Sequence, residues 1–151
     1  MKTSFEHYFS GENLYNKMVA PVCEKHGLTY MEFTVLLFLA NNPEYDTASQ
    51  IVACRHLTKS HVSISVRSLT ERGLLTGSRD AGNRRAIHLH LTPAAAPLVE
   101  EGRQAQQKFY EVIHSGFSSE EKKLLEDMIF RIDANIDRYL NMKQEELHEQ
   151  G

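Results

Sequence analysis

The chain has 151 residues, two cysteines, no tryptophan and a formal charge of −3, a length at which one domain buries roughly two-thirds of its unfolded surface without staples. Cys23 and Cys54 show no paired spacing, which argues against a disulfide scaffold and for a reducing compartment. No apolar run approaches the ~20 residues that cross a bilayer, and MKTSFEHYFSGENLY lacks the apolar centre of a signal peptide, so a cytoplasmic chain with no membrane partner is expected.

The first element is a helix from Phe5 to His26, with Phe5, Tyr8, Phe9, Leu14, Tyr15, Met18, Val19 and Val22 as its apolar stripe. Ser10-Gly11 should interrupt it, Pro21 should kink it and Gly27 should end it. Thr29-Tyr30-Met31-Glu32 is a capping box that opens the apolar run FTVLLFLA, a buried helix. Beyond Asn41-Asn42-Pro43, a short helix from Thr47 to His56 has Thr47 and Gln50 at the spacing of a second box. Thr58 should cap the next helix, Lys59 to Arg72, whose apolar positions Val62, Val66 and Leu69 are spaced four and three. Gly73 stops it.

A hairpin follows. Leu74-Leu75-Thr76 is its first strand, and Asp80 to Asn83 holds the Gly and Asn of a tight turn. From Arg85 the second strand alternates, Ile87, Leu89 and Leu91 facing inward and Ala86, His88 and His90 outward. Thr92-Pro93 begins a helix to about residue 114. Ser118 and Glu121 form a third box, launching a last helix from Ser119 to about residue 144 with Leu124, Leu125, Met128, Ile129, Ile132, Ile136 and Tyr139 on its apolar side.

The charge is segregated. Between Arg55 and His90 lie seven Lys/Arg and two acids, a local +5, whereas the remainder holds ten against eighteen. A basic module in an acidic frame is the footprint of a protein that offers one surface to phosphates. Two short helices joined by a tight turn and followed by a hairpin make a winged helix-turn-helix, in a mostly α fold with a small β wing. Its second helix should enter a major groove of double-stranded DNA and its hairpin an adjacent minor groove or backbone. The candidate contacts are Thr58, Lys59, Ser60, His61, Ser63 and Arg67 on the helix and Arg79, Arg84 and Arg85 on the wing.

The segment LTKSHVSISVRSLTERGLL followed by RDAGNRRAIHLHLT resembles the MarR family of bacterial transcription regulators, and the resemblance extends over essentially the whole chain. It implies a homodimer of interlocked terminal helices, about 1–28 and 93–144, carrying a winged module at about 29–92. It also implies a repressor on a pseudo-palindromic operator, released by a small apolar or phenolic ligand. Phe5, Phe9, Leu125, Ile129, Ile132, Ile136 and Tyr139 are then the interface candidates. Tyr15, Met18, Tyr30 and Phe33 are candidates for the effector pocket or, equally by spacing, for core. Two positions depart from the family pattern. Asn83 replaces the acid that precedes the wing arginine, here Arg85, and Arg55 replaces a buried Leu, with Glu71 a candidate partner.

Other readings stay open at this point. The same module could serve protein assembly without DNA. His88 and His90 could supply two metal ligands, but two imidazoles do not close a site. Cys23, Glu32 and Glu101 fall near an accessory site of zinc-sensing relatives, but the stretch Gly102-Arg103-Gln104-Ala105-Gln106 lacks the His cluster of their main site. Cys23 lies too late in its helix for the peroxide-sensing pattern. No metal or cofactor is expected, and no nucleophile–base pair or Gly-rich phosphate loop suggests an enzyme.

Overall fold

The computed structural model describes residues 4–82 and 85–149, with side chains described for 10–82 and 85–140. Helix α1, Ser4–His26, runs without a break through Ser10-Gly11 and past Pro21. An interior glycine costs about 1 kcal/mol against alanine. The helix repays that by burying Val19 completely and Cys23 almost completely. Gly27, at φ 60°, turns the chain out of the helix, and the Leu28 amide reaches back to the Cys23 carbonyl at 2.8 Å.

Helix α2, Tyr30–Asn41, is the structural axis, with every residue from Glu32 to Leu39 buried. Its capping box is formed in both directions: the Glu32 amide donates to Thr29 Oγ1 at 3.1 Å and the Thr29 amide to Glu32 Oε2 at 2.8 Å. Helix α3, Ala48–Arg55, begins with the second box, the Thr47 amide donating to Gln50 Oε1 and the Gln50 amide to Thr47 Oγ1. It ends at His56 in the left-handed region, a conformation costly for a side chain with a Cβ. Helix α4 is Lys59–Glu71, ending at Gly73 as α1 ends at Gly27, with the Leu74 amide on the Leu69 carbonyl.

Strands β1, Leu75–Ser78, and β2, His88–Leu91, pair antiparallel, with Leu75 opposite Leu91 and Ser78 opposite His88. The second strand starts three residues later than the alternation suggests. The ladder ends at the Ser78–His88 pair, and β2's far edge is held by the loop before α3, through a Thr47–His88 bridge and a 2.6 Å bond from the Leu89 amide to the Asp46 carbonyl. Ile87 therefore lies outside the ladder and is exposed rather than inward, its side chain crossing Gly77, where a Cβ would come within 2.9 Å. Leu89 is buried and Leu91 half-buried, as their alternation requires.

After a 3-10 turn at Pro93–Ala95, helix α5 runs Ala96–Ile113. Gly102 faces α2, and a Cβ there would meet Leu37 and Phe33 side-chain atoms at 2.7 and 2.9 Å. The ligand-free stretch noted in the sequence thus includes a point at which α5 packs directly on α2. Arg103 closes α2's C-terminus, donating to the Ala40 carbonyl and Asn41 Oδ1.

The chain divides into two units, Met1–Glu111 and Val112–Gly151. The first contains the core of α1 to α5 and the hairpin. In the second, the His114 ring meets the Phe117 ring edge-on at 5.8 Å, and helix α6, Ser119–Glu149, starts from the third box, the Ser118 amide donating to Glu121 Oε2 at 2.7 Å. Along α6, Leu124, Met128, Ile129, Ile132, Ile136 and Tyr139 are all exposed in the single chain, and Leu125 is half-buried. No helix among the described residues is long and apolar enough to cross a membrane.

Candidate nucleic-acid interface

Helix α4 is fixed on one side and bare on the other. Val62, Ser65 and Leu69 are buried, with Val66 packed against the same core. The small Ser65 lets α4 sit close against its neighbours, and Ser68 donates its hydroxyl to Glu32 of α2. Glu32 is a buried carboxylate, 6% exposed, with three ties in all: the Thr29 amide, the Ser68 hydroxyl and Arg72 at 3.6 Å. Burial pushes its pKa up, but the Ser68 and Thr29 hydrogen bonds and the Arg72 charge outweigh that, and the net shift is downward. Arg72 in turn donates to the His26 and Gly27 carbonyls at 2.7 and 3.0 Å, closing the end of α1. One carboxylate thus ties α1, α2 and α4 together.

The opposite side of α4 carries every predicted helix contact: Thr58, Lys59, Ser60, His61, Ser63 and Arg67 are all exposed. Thr58 occupies the N-cap with extended backbone, φ −75° and ψ 137°, but its side chain makes no capping bond, in contrast to the role expected for it. A hydroxyl beside uncapped first-turn amides and the positive helix end suits an incoming anion better than a closed cap does.

On the wing, Arg79 and Arg85 are exposed, and Arg85 has an interaction of its own within the chain. Arg84 and Asn83 lie outside the described residues. The wing is anchored by His88, which sequence alternation placed on the free surface. Its Nδ1 lies 2.9 Å from Asp46 Oδ2 and its Nε2 lies 3.2 Å from Asp80 Oδ2, so the ring bridges the loop before α3 and the hairpin. Hydrogen bonding to Asp46 raises its pKa above the ordinary 6.5, partial burial works against this, and the charges of Asp46 and Asp80 add to it. His90 is exposed and pairs with Ser78 at 2.8 Å.

The remaining candidates separate. Glu101 pairs with Lys25 at 2.7 Å and His26 at 3.1 Å, Glu32 belongs to the α2–α4 tie, and Cys23 is buried, its thiol pushed up by that burial. Among the described residues no three His, Cys, Asp or Glu side chains are grouped to hold a metal. Arg55 forms no ion pair with Glu71 among the described residues. It lines a small polar cavity of about 80 Å³ together with Tyr15, Thr34, Asn41 and Gln106. Of the four aromatic and Met candidates, Tyr15 lines this cavity, its hydroxyl accepting from Gln106 at 2.9 Å, while Phe33 is fully buried core and Met18 and Tyr30 lie off the cavity wall. Phe5 and Phe9 fall where side chains are not described.

Residues 26–86 match the profile of the MarR family, the stretch from the end of α1 to the wing. Across more of the chain, 128 residues are 24% identical to the transcriptional regulator AdcR of Streptococcus pneumoniae, covering 83% of this chain and 86% of that one. The fold matches a MarR-family transcriptional regulator from Listeria monocytogenes solved with a 26mer DNA, at TM-score 0.82 and 18% identity over 95% of this chain and 96% of that. It also matches the Staphylococcus aureus MepR–DNA complex at TM-score 0.74 and 18% identity, over 89% and 99% of the two chains. Within this winged module, the features that sequence reasoning missed are the His88 bridge, the structural role of Arg72 and the exposure of Ile64. The Asp46 partner of His88 and the His26 and Gly27 partners of Arg72 lie more than forty residues away, where no local pattern reaches.

The His88 bridge generates a pH expectation. Because its pKa is raised, the contribution of the bridge to stability is fully present below the ordinary 6.5 and is lost as pH rises through the raised value. Proton NMR of the imidazole should give a midpoint above 6.5 that falls towards it in Asp46→Asn. A midpoint at or below 6.5 in the wild type would show that the bridge does not hold in solution.

Proposed function

We propose that the chain is a transcription regulator, a repressor that binds duplex DNA sequence-specifically as a homodimer. The observation that carries this reading is the exposed face of α4, where Lys59, Ser60, His61, Ser63 and Arg67 stand clear of a helix whose other side is locked into the core. Lys59 and the first-turn amides suit phosphates, Arg67 suits guanine edges, and the small hydroxyls permit close approach to a groove floor. Arg79 and Arg85 supply positive charge on the hairpin for a minor groove or backbone. Arg84 belongs to the same proposed set. The DNA named with the Listeria and Staphylococcus structures agrees with this reading for their fold.

The homodimer rests on α6. A helix with Leu124, Met128, Ile129, Ile132, Ile136 and Tyr139 open to water in the single chain needs a covering surface, and a two-fold pair would set two recognition helices about one DNA turn apart. Phe5 and Phe9 belong to the same proposed interface. Release by a small apolar or phenolic effector follows by linkage: a ligand that prefers a dimer with the wrong helix spacing weakens DNA binding by its differential affinity. The polar cavity beside Tyr15 and Arg55 offers such a ligand its hydrogen bonds, and Leu37 and Phe38 its apolar wall.

Affinity for duplex should fall steeply with salt. A plot of log K against log salt should have a slope beyond roughly −4, since each phosphate neutralised contributes about −0.9 and a dimer makes several such contacts. Salt-independent association, or none at low salt, would remove DNA from the account. For the dimer, Ile132→Asp with Ile136→Asp places unpaired charge in the proposed interface and should cost several kcal/mol of dimer stability, on the order of 3 to 5. Sedimentation should show a dimer for the wild type and a monomer or unfolded chain for the double variant. A wild type that is monomeric at micromolar concentration contradicts the dimer.

A further inference from the structure

Ile64 is the anomaly on α4. It is 62% exposed, the one large apolar side chain standing out of this helix among the described residues. At about 100° per residue, it points roughly opposite to the buried arc of Val62, Ser65, Val66 and Leu69. Its neighbours one turn away are Ser60 and His61 on one side and Arg67 on the other, so it sits in the middle of the polar face rather than at its margin. A β-branched side chain there brings no core contact, and it forms helix less readily than Ala, Lys or Glu. Nothing within the described chain covers it, yet hydrogen-bonding and charged side chains flank it on both sides. A polar face with one apolar group at its centre matches a surface that is itself polar with an isolated apolar group. The floor of a major groove is such a surface: base-edge donors and acceptors, interrupted by the C5-methyl of thymine.

We infer that Ile64 is a specificity-determining residue that reads a thymine methyl in each half-site. This rests on the proposed DNA-binding reading and adds to it what the polar side chains cannot supply. Ser60 and Ser63 discriminate weakly between bases, and Arg67 favours guanine, so a preference for thymine at the centre of the helix needs an apolar partner. The methyl is also the one feature of thymine that can be removed from DNA without changing base pairing.

The test uses that property. Duplexes selected by the wild-type protein from a random pool are resynthesised with deoxyuridine in place of thymidine, one half-site position at a time, and affinities are measured for wild type, Ile64→Ala and Ile64→Val. At one position per half-site, loss of the methyl should weaken wild-type binding about fourfold, the effect of one buried methyl-sized group. Ile64→Ala should bind the thymidine and deoxyuridine duplexes equally, and Ile64→Val should retain part of the difference. The exposed position makes both variants foldable, and binding to random duplex at low salt provides the check. If no thymine position responds in the wild type, or if Ile64→Ala keeps the full response, the assignment to Ile64 is overturned while DNA binding stands. If the wild type enriches no duplex at all, sequence-specific reading falls and the assignment falls with it.

Discussion

The buried carboxylate of Glu32 is the constraint on which the module's geometry depends. It closes the capping box of α2 through the Thr29 amide, takes the Ser68 hydroxyl from α4 and faces Arg72, which itself closes the end of α1. Removing a carboxylate of this kind leaves three polar groups short of a partner, each costing roughly 1–3 kcal/mol where it stays buried. The direction of its pKa shift agrees with this. The carboxylate stays charged in spite of burial, so its stabilisation is present above its unfolded pKa and is lost as pH falls through the lower folded value. Because Ser68 and Arg72 leave α4 from its inner side, the tie fixes the helix's rotation as well as its position, and the face carrying Lys59 to Arg67 is turned outward as a consequence.

The wing is fixed by a different device. The two-stranded ladder is only four residues long, and a hairpin of that length is marginal by itself. The loop before α3 supplies what is missing: a backbone bond from Leu89 to Asp46, the Thr47–His88 bridge and the His88 ring between Asp46 and Asp80. Helix α4 and the wing are therefore held by separate anchors, one a buried carboxylate whose pKa is lowered and the other an imidazole whose pKa its Asp46 hydrogen bond raises.

Much of this was legible in the sequence because the elements are locally encoded. The three capping boxes at Thr29, Thr47 and Ser118 all form, and Gly27 and Gly73 end their helices where periodicity stops. The exposed and buried sides of α4 follow from the spacing of Val62 and Leu69. What the sequence did not reveal was non-local. Glu32 read as a capping residue or a possible metal ligand, since Ser68 and Arg72 lie far along the chain, and Arg72 counted only towards the basic charge of the module, although its guanidinium is spent on the end of α1. His88 read as a surface residue because alternation reports which side of a strand a residue takes and not what approaches that side. Ile87 read as inward because the ladder's end depends on Asp46, forty residues earlier.

The account comes down to one claim, that the outward face of α4 with the hairpin beside it is the surface that meets duplex DNA. Amide hydrogen exchange of the protein with and without duplex at low salt tests this most directly, since it reports every backbone segment at once. The account predicts added protection in residues 58–67 and in the hairpin from 79 to 88, with α2 already protected in both states. Protection that falls instead on α5, or no change at 58–67 when duplex is bound, would contradict it.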